Sequence, residues 1–286
     1  MRSIAVINQK GGVGKTTSAV NLAAALANKG QRVCLIDLDP QAHASLHLGI
    51  APENAKTTVY DVLTGPMGIA QAVQTVAPNI DVLPSHLDLA AAEIELADEV
   101  GRELILRDKV NELDGAYDFI FIDCPPSLGV LTLNALVAVK EVFLPLQPHF
   151  LALHGLSKLL ETIEVVVRRL NRDLKLTGVL FCMYDSATRL ATEITEDVDG
   201  FFSAVDDERC PWNGATRFKT CVRRNIRLAE APSFGQSILK YAPHSNGAED
   251  YRNLADEVLA MQSIRRDYKP QLPTEAHRFT ATAFHG

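Results

Sequence analysis

Residues 10–17, Lys-Gly-Gly-Val-Gly-Lys-Thr-Thr, decide the fold of this chain. They lie between a short apolar run at residues 4–7 and a helical pattern at residues 19–27. Glycines allow successive backbone N–H groups to face one anion, and the positive end of the following helix points to the same place. A strand, a glycine-rich loop and a helix in this order predict a phosphate-binding loop.

The side chains of this loop have predictable contacts with a nucleotide. Lys15 is placed to reach the β- and γ-phosphates, and the Thr16 hydroxyl is placed to ligate Mg²⁺. The general P-loop pattern begins with a glycine, and this chain has Asn8 or Gln9 at that position, depending on the alignment. Lys10 is an additional cation inside the loop. Lys10 therefore needs an explanation of its own. The predicted nucleotide-binding stretch comprises Lys10, Gly11, Gly12, Val13, Gly14, Lys15, Thr16 and Thr17.

Acidic residues end two other apolar runs. Asp123 follows Phe-Ile-Phe-Ile at residues 119–122, as in a Walker B site, where a carboxylate supports the Mg²⁺ shell. Asp37 and Asp39 end the second apolar run, and alternation along a strand places both on one side. A carboxylate there can orient a water in line with the γ-phosphate, or it can cap the next helix. The spacing alone does not decide between Asp37 and Asp39.

Apolar strand-like runs alternate with helix-period segments along the chain. This alternation predicts an α/β fold with a doubly wound, mostly parallel sheet, as in P-loop NTPases. We expect one ATPase domain over residues 1–262 and a C-terminal extension, residues 263–286, that lacks periodicity and either is disordered or wraps along the surface. The strand-like runs are residues 4–8, 32–37, 80–84, 119–123, 142–146 and 176–183, and the helical segments are 16–28, 87–112, 129–139 and 155–170.

Composition narrows the class of protein further. The net charge of -7 argues against a wholly basic protein that coats nucleic acid, although local basic patches stay possible. No apolar run approaches the roughly 18 residues that span a membrane, and the first strand begins too early for a signal peptide. The five cysteines form no C-x-x-C pair, which indicates buried thiols in a reducing cytosol.

Four motifs together resemble the ParA family of partition ATPases. They are residues 10–17, 37–41, 119–127 and 224–235, the last reading Arg-Asn-Ile-Arg-Leu-Ala-Glu-Ala-Pro-Ser-Phe-Gly. The motifs occur in the order typical of the family and span nearly the whole predicted domain. The early lysine identifies the loop as a deviant Walker A motif, which the ParA family shares with MinD and the nitrogenase iron protein.

The resemblance implies a role for each matching residue. Lys10 matches the lysine that crosses the interface of an ATP-sandwich homodimer to the partner subunit's phosphates, which links nucleotide binding to dimerisation. Asp39 matches the acid that positions the attacking water, and so ranks ahead of Asp37. Asp123 matches the Walker B acid. Thr16 is expected to contact Mg²⁺ directly, and Asp39 and Asp123 are expected to contact it through water. The implied catalytic set is Lys10, Lys15, Asp39 and Asp123.

Similarity to the nitrogenase iron protein also suggests where the adenine binds. The residues at the corresponding positions are Met183, Arg224 and Asn225. Met183 ends an apolar run, where it can pack on a base but is equally compatible with a place in the core.

ParA proteins bind DNA non-specifically as ATP dimers, through cations on one face. Such phosphate contacts require no base readout and weaken with salt. Ala187 replaces an arginine of many relatives, Arg223 replaces a proline, and the loop at residues 205–216 carries additional acids. These departures leave open whether the cargo is a replicon or a protein assembly, and the cations can also bind nucleotide or form surface salt bridges. The candidate DNA contacts are Arg189, Arg217, Lys219, Arg223 and Arg227, together with Arg224, which is also a candidate adenine contact.

The leading hypothesis is a cytoplasmic, nucleoid-associated ATPase that positions chromosome, plasmid or protein cargo. The resemblance implies slow hydrolysis of ATP to ADP and phosphate, stimulated by a ParB-like or cargo adaptor protein. A MinD-like division-site regulator at the membrane is the alternative. It needs a basic amphipathic C-terminal helix, whereas residues 278–286 contain one basic residue, so no membrane contact is expected. An iron-protein-like redox enzyme needs paired cysteines, and Cys124 has no partner in sequence near the site.

Overall fold

The computed structural model describes residues 1–149 and 156–261. The strands in these residues are β1 (Arg2–Val6), β2 (Val33–Asp37), β3 (Gln74–Ala77), β4 (Ile80–Leu83), β5 (Phe119–Asp123), β6 (Glu141–Leu146), β7 (Lys175–Tyr184), β8 (Thr216–Arg217) and β9 (Val222–Arg223). They pair in the order β3-β4-β2-β5-β1-β6-β7-β8, with β9 also beside β7. Among these strands every pairing is parallel except that of β3 with β4, which confirms the predicted mostly parallel sheet.

Helices connect the strands and cover both faces of the sheet. They are α1 (Lys15–Asn28), α2 (His43–His47), α3 (Val59–Thr64), α4 (Ile69–Ala72), α5 (Leu89–Glu95), α6 (Ile105–Asn111), α7 (Val130–Ala138), α8 (Leu156–Arg169), α9 (Arg189–Ser203), α10 (Ile226–Glu230), α11 (Ile238–Tyr241) and α12 (Asn246–Ala260). Short 3₁₀ turns lie at Pro52–Asn54, Leu96–Asp98, Arg102–Leu104 and Ala231–Phe234.

The central strands are buried on both faces because their side chains alternate between two hydrophobic layers. Ile36 and Ile122 point into a layer that is covered by α7 and α8. Their neighbours Leu35 and Phe121 point into the opposite layer, which α1 and α12 cover. This two-sided burial explains why the strands read as continuous apolar runs in the sequence.

The strand order brings the predicted motifs to one edge of the sheet. β1 lies between β5 and β6, and β5 lies between β1 and β2. In register, Asp123 is opposite both Val6 and Asp37, so the carboxyl ends of these three strands lie side by side. Ligands of open α/β sheets bind in the crevice at such a switch point.

The predicted helix over residues 87–112 is wrong. The structure divides it into α5, two 3₁₀ turns and α6. Glu99 is extended with ψ 129°, and Gly101 has φ +79°, a conformation that ends the helical path and that L side chains rarely adopt. The remaining predicted helices in the described residues begin and end within a residue or two of those observed.

Two further predictions concern the chain terminus and membranes. The C-terminal extension, residues 263–286, lies outside the described residues. Among the helices of the described part of the chain, none is long and apolar enough to cross a membrane.

Candidate nucleotide-binding site

The glycine-rich loop between β1 and α1 has the backbone of an anion cradle. Gly12 and Gly14 have φ of 73° and 96°, and Gly14 caps α1 in the left-handed conformation. The positive φ favours glycine at position 14, and a Cβ atom there would also crowd Cys182 Sγ at 3.2 Å. Within the described residues, the N–H groups of Gly11, Gly12 and Val13 have no hydrogen-bond acceptor. These donors are available to an anion at the positive end of α1.

Lys15 lies at the base of the cradle with only 7% of its surface exposed. Its Nζ donates a hydrogen bond to the carbonyl of Lys10, at 3.1 Å. Burial lowers the pKa of Lys15, and the charges of Asp123 and Asp39 oppose this shift. The ammonium therefore lies between the loop and the acids, where it has given up much of its hydration and retains donors for a phosphate.

Asp123 is completely buried at the end of β5, yet neither of its carboxylate oxygens has a hydrogen-bond partner in the described residues. Burial and the nearby charge of Asp37 raise its pKa well above the ordinary value, and the neighbouring Thr16 hydroxyl only partly offsets this. A buried carboxylate without a partner is costly, so the structure is suited to a cation at this position.

Asp37 and Asp39, which the spacing left equivalent, have different environments. Ser45 donates two hydrogen bonds to Asp37 Oδ2, from its backbone N–H at 2.8 Å and from Oγ at 2.7 Å. The N–H of Asp39 contacts Asp37 Oδ1 at 3.3 Å. Burial raises the pKa of Asp37 to about 6, against the effect of the Ser45 hydrogen bonds. Asp37 thus anchors the loop after β2, because both of its oxygens are engaged within the loop.

Asp39 keeps one oxygen open. Its Oδ1 accepts the N–H of Gln41 at 3.0 Å, whereas Oδ2 has no hydrogen bond within the described residues. Asp39 is 9% exposed, and its charge acts on both Lys15 and Asp123. Of the two acids, Asp39 is therefore the one with a free acceptor beside the cradle.

The three residues predicted to surround the adenine lie at the ends of two adjacent strands, β7 and β9. Met183 lies near the end of β7, with φ +52°, at an irregularity in the pairing with β9. Such a conformation is uncommon for a residue with a side chain and is found more often at binding sites. Arg224 is exposed just after β9, and the Asn225 side chain caps α10 by accepting the N–H of Arg227. Cys182, next to Met183, packs on the cradle at Gly14 and Ser18.

Most of the predicted DNA-contacting arginines have acidic partners. Arg223 is held most firmly, because its guanidinium contacts Asp250 at 2.6 Å and Glu249 at 2.7 Å, and Asp250 is buried. No ion pair of Lys219 or Arg224 is found in the described part of the chain. The other pairs are Arg189 with Glu193, Arg217 with Asp199, and Arg227 with Glu230.

Sequence reasoning missed two residues that hold the loop. The Asn8 side chain accepts the N–H of Lys10 at 2.9 Å and donates to the carbonyl of Pro145 at 2.8 Å. His149, beyond β6, contacts the ammonium of Lys10 through Nε2. Both are polar residues that follow a buried strand at the same edge of the sheet, which is a signal that the sequence contains. Their contacts were not predictable, because the partners are more than 130 positions away in the sequence.

α2, which follows the Asp39 loop, contains a buried histidine whose protonation opposes folding. His47 is 1% exposed, and burial lowers its pKa to about 4. Its stabilising neutral form is fully present above the unfolded pKa of about 6.5 and is lost as the pH falls towards 4. Asp37 acts in the opposite direction, because its raised pKa stabilises the folded state on acidification.

We expect the stability advantage of the wild type over His47→Gln to fall by about 2 kcal/mol between about pH 7 and about pH 4.5. Urea denaturation of both proteins at each pH measures this difference, and the subtraction cancels the contribution of Asp37. A pH-independent difference would show that His47 is readily protonated in the folded protein.

Comparison with known proteins agrees with this geometry. A family model described as "AAA domain" matches residues 1–176. The chain is 45% identical over 258 residues to the sporulation initiation inhibitor protein Soj of Bacillus subtilis, with coverage of 90% of this chain and 98% of that protein. It is 43% identical over 269 residues to the chromosome partitioning protein ParA of Caulobacter vibrioides, with coverage of 93% and 97%.

A solved structure resembles the whole described fold. Cobyrinic acid a,c-diamide synthase from Mycobacterium smegmatis, with bound ADP and magnesium, superposes with a TM-score of 0.76 at 37% identity. The match covers 91% of this chain and 94% of that one. The cradle, the two acids at neighbouring strand ends and these relatives show that the chain belongs to the ParA/Soj family of P-loop partitioning ATPases.

Proposed function

We propose that the chain is an ATP-dependent dimerising switch that binds DNA non-specifically and positions cargo together with a ParB-like or adaptor protein. The observation that carries the proposal is the unpartnered Asp123 carboxylate beside a cradle of free N–H groups and the Lys15 ammonium, all within the described residues. Hydrolysis to ADP and phosphate is slow until the partner stimulates it, and the protein acts in the cytoplasm at the nucleoid.

The residues of the site fit ATP with Mg²⁺. Gly11 to Thr17 would hold the phosphates through backbone N–H groups, and Lys15 would exchange the Lys10 carbonyl for phosphate oxygens. Thr16 would ligate Mg²⁺, with Asp39 and Asp123 contacting its water shell. In the described residues, no three His, Cys, Asp or Glu side chains form a metal site. Mg²⁺ is commonly held through one or two carboxylates together with the phosphates of a bound nucleotide. When bound, Mg²⁺ neutralises charge on the β- and γ-phosphates.

Asp39 is the residue that would orient the attacking water. Its open Oδ2 can accept a hydrogen bond from that water, while Asp37 and Ser45 hold the loop in place. Orientation of this kind requires a fixed carboxylate, which the buried anchor at Asp37 provides. The adenine would lie against Met183, Arg224 and Asn225, at the ends of β7 and β9.

Lys10 would act in the partner subunit. It is exposed within the glycine-rich loop, and its ammonium contacts His149. A cation that reaches a second chain's phosphates makes dimerisation depend on ATP and adds positive charge where hydrolysis develops negative charge. The working unit is therefore a homodimer.

The DNA contacts in this proposal rest chiefly on Lys219 and Arg224. Both flank β9 and carry no acidic side-chain ion pair within the described residues, so their charge is available to phosphates. Arg189, Arg217, Arg223 and Arg227 can contribute only if they share or exchange their carboxylate partners, which reduces the gain from each. We keep them in the candidate surface and expect smaller individual effects.

The test is binding to duplex DNA of random sequence with ATP, with ADP and without nucleotide, at several salt concentrations. Binding should require ATP and weaken steeply with salt. Replacing Lys219 and Arg224 by alanine should lower the slope of log K against log salt by about 1 for each phosphate that the variant no longer neutralises. Arg172→Ala, an exposed arginine before β7 at the opposite end of the sheet, is the matched control.

Nucleotide affinity must be measured for Arg224→Ala in parallel, because the same residue is a candidate adenine contact. Unchanged ATP affinity with weaker DNA binding assigns Arg224 to DNA. DNA binding that is equal with ATP, ADP and no nucleotide would contradict the proposed ATP-dependent switch. The absence of any DNA binding would indicate that the protein binds a protein surface in place of DNA.

A further inference from the structure

The ammonium of Lys10 has a partner in its own chain. Its Nζ contacts Nε2 of His149, which lies three residues beyond the end of β6. An ammonium group can only donate, so the imidazole nitrogen must accept, and His149 must be neutral with its proton on Nδ1. Burial and, secondly, the positive charge of Lys10 lower the pKa of His149, which favours this neutral form.

The contact is part of a wider connection between the two segments. The side chain of Asn8 joins the N–H of Lys10 to the carbonyl of Pro145, with hydrogen bonds of 2.9 and 2.8 Å. Lys15 Nζ donates to the carbonyl of Lys10 at 3.1 Å. The backbone of Lys10 is therefore held beside the end of β6, and its side chain lies directly along the segment that contains His149.

We propose that His149 is a positioning residue that holds Lys10 within its own chain and releases it when two chains close over ATP. The inference rests on the proposed role of Lys10 across the dimer interface. The Lys10 ammonium cannot keep its contact with His149 while it reaches the phosphates of a second chain. Formation of the dimer therefore exchanges His149 for phosphate as the acceptor. The exchange opposes dimerisation, and His149 thereby raises the protein concentration at which the ATP dimer forms.

The chemistry of the acceptor suits an exchange. A neutral imidazole at a solvent-accessible position holds an ammonium less firmly than phosphate oxygens do, because the second interaction joins opposite charges. Phosphates can therefore displace His149. In the absence of ATP, the contact keeps the long side chain of Lys10 in one place and away from other anions.

The first experiment tests the contact by NMR of the His149 ring in the nucleotide-free, full-length protein. We expect the Nδ1–H tautomer in the wild type. Lys10→Met removes the neighbouring positive charge and should raise the pKa of His149, because that charge lowers it now. Lys29→Met, at the other end of α1, is the control and should leave the pKa of His149 unchanged. An equal pKa in the wild type and Lys10→Met would overturn the proposal.

The second experiment measures the ATP-dimer dissociation constant by analytical ultracentrifugation, in an Asp39→Ala background that prevents turnover. His149→Ala should tighten the dimer about 2- to 10-fold, the range of one hydrogen bond. His149→Gln, which keeps an acceptor, should remain near the starting value. Combined with Lys10→Met, His149→Ala should have no effect, since nothing is left to release.

The two hypotheses fail in different ways. If Lys10→Met leaves the ATP dimer as strong as before, the proposed role of Lys10 across the interface is wrong. If Lys10→Met weakens the dimer but His149→Ala changes it equally with and without Lys10, only the role of His149 is wrong. The NMR measurement on folded wild type and Lys10→Met decides the contact even if a His149 variant fails to fold.

Discussion

Lys15→Ala is expected to lower the affinity for ATP by at least about 100-fold, which corresponds to about 3 kcal/mol. The ammonium is buried at the base of the cradle and would make charge-assisted hydrogen bonds to the β- and γ-phosphates. Alanine removes these and leaves the negative charges of Asp123 and Asp39 near the phosphates without the lysine ammonium to offset them. Calorimetric titration of the nucleotide-free protein with ATP and Mg²⁺ measures the effect.

Lys29→Ala provides the matched control for this prediction. Lys29 lies just beyond the other end of α1 and pairs with Asp256 on the surface, so its removal should leave ATP affinity unchanged. Far-UV circular dichroism should show that both variants keep the fold. Affinity near the wild-type value in Lys15→Ala would contradict the assignment of residues 10–17 as the phosphate-binding loop.

The parts of the fold that the sequence predicted are those with a strong local signal. Six apolar runs correspond to β1, β2, β4, β5, β6 and β7, because strands buried on both faces need apolar side chains at every position. β8 and β9 have two residues each and no such signal, since pairing with β7 alone defines them. The predicted helix at 87–112 failed because the backbone is extended at Glu99 and left-handed at Gly101, conformations that periodicity does not report.

The site shows the same division between local and distant information. Lys15, Thr16 and Asp123 could be proposed as site residues from the sequence because each follows a buried strand or belongs to the loop motif itself. The resemblance ranked Asp39 ahead of Asp37, whereas the different environments of the two acids depend on Ser45, which engages Asp37 from eight residues away. The ion pairs of Arg217 and Arg223 connect elements that only the tertiary fold brings together, so the cationic segment looked freer in the sequence than it is.

The short-range ion pairs were readable in principle. Arg189 and Glu193 are four residues apart on α9, and Arg227 and Glu230 are three apart at α10. Such pairs are typical of helix surfaces. They contribute little to stability when exposed, but they lower the positive charge that a surface offers to DNA.

Asp39→Ala is expected to leave ATP binding intact and to slow hydrolysis about 100- to 10,000-fold, the usual contribution of a positioned acid–base group. In the proposed function, the open Oδ2 of Asp39 would accept a hydrogen bond from the attacking water, whereas the loop and Lys15 would hold the phosphates. ATP should therefore accumulate in a stable dimer. Phosphate release measures the rate, and gel filtration with ATP and with ADP measures the assembly state.

Asp37→Asn separates this catalytic role from support of the loop. Its amide oxygen can still accept both hydrogen bonds from Ser45, but its NH2 group cannot accept the N–H of Asp39, so we expect lower stability together with a smaller loss of hydrolysis. Asp39→Ala should show the reverse, a large loss of hydrolysis with little change in stability, because only one backbone N–H depends on that carboxylate. Normal turnover in Asp39→Ala, or equal effects of the two substitutions, would remove Asp39 from the chemical step and leave the loop as a structural unit.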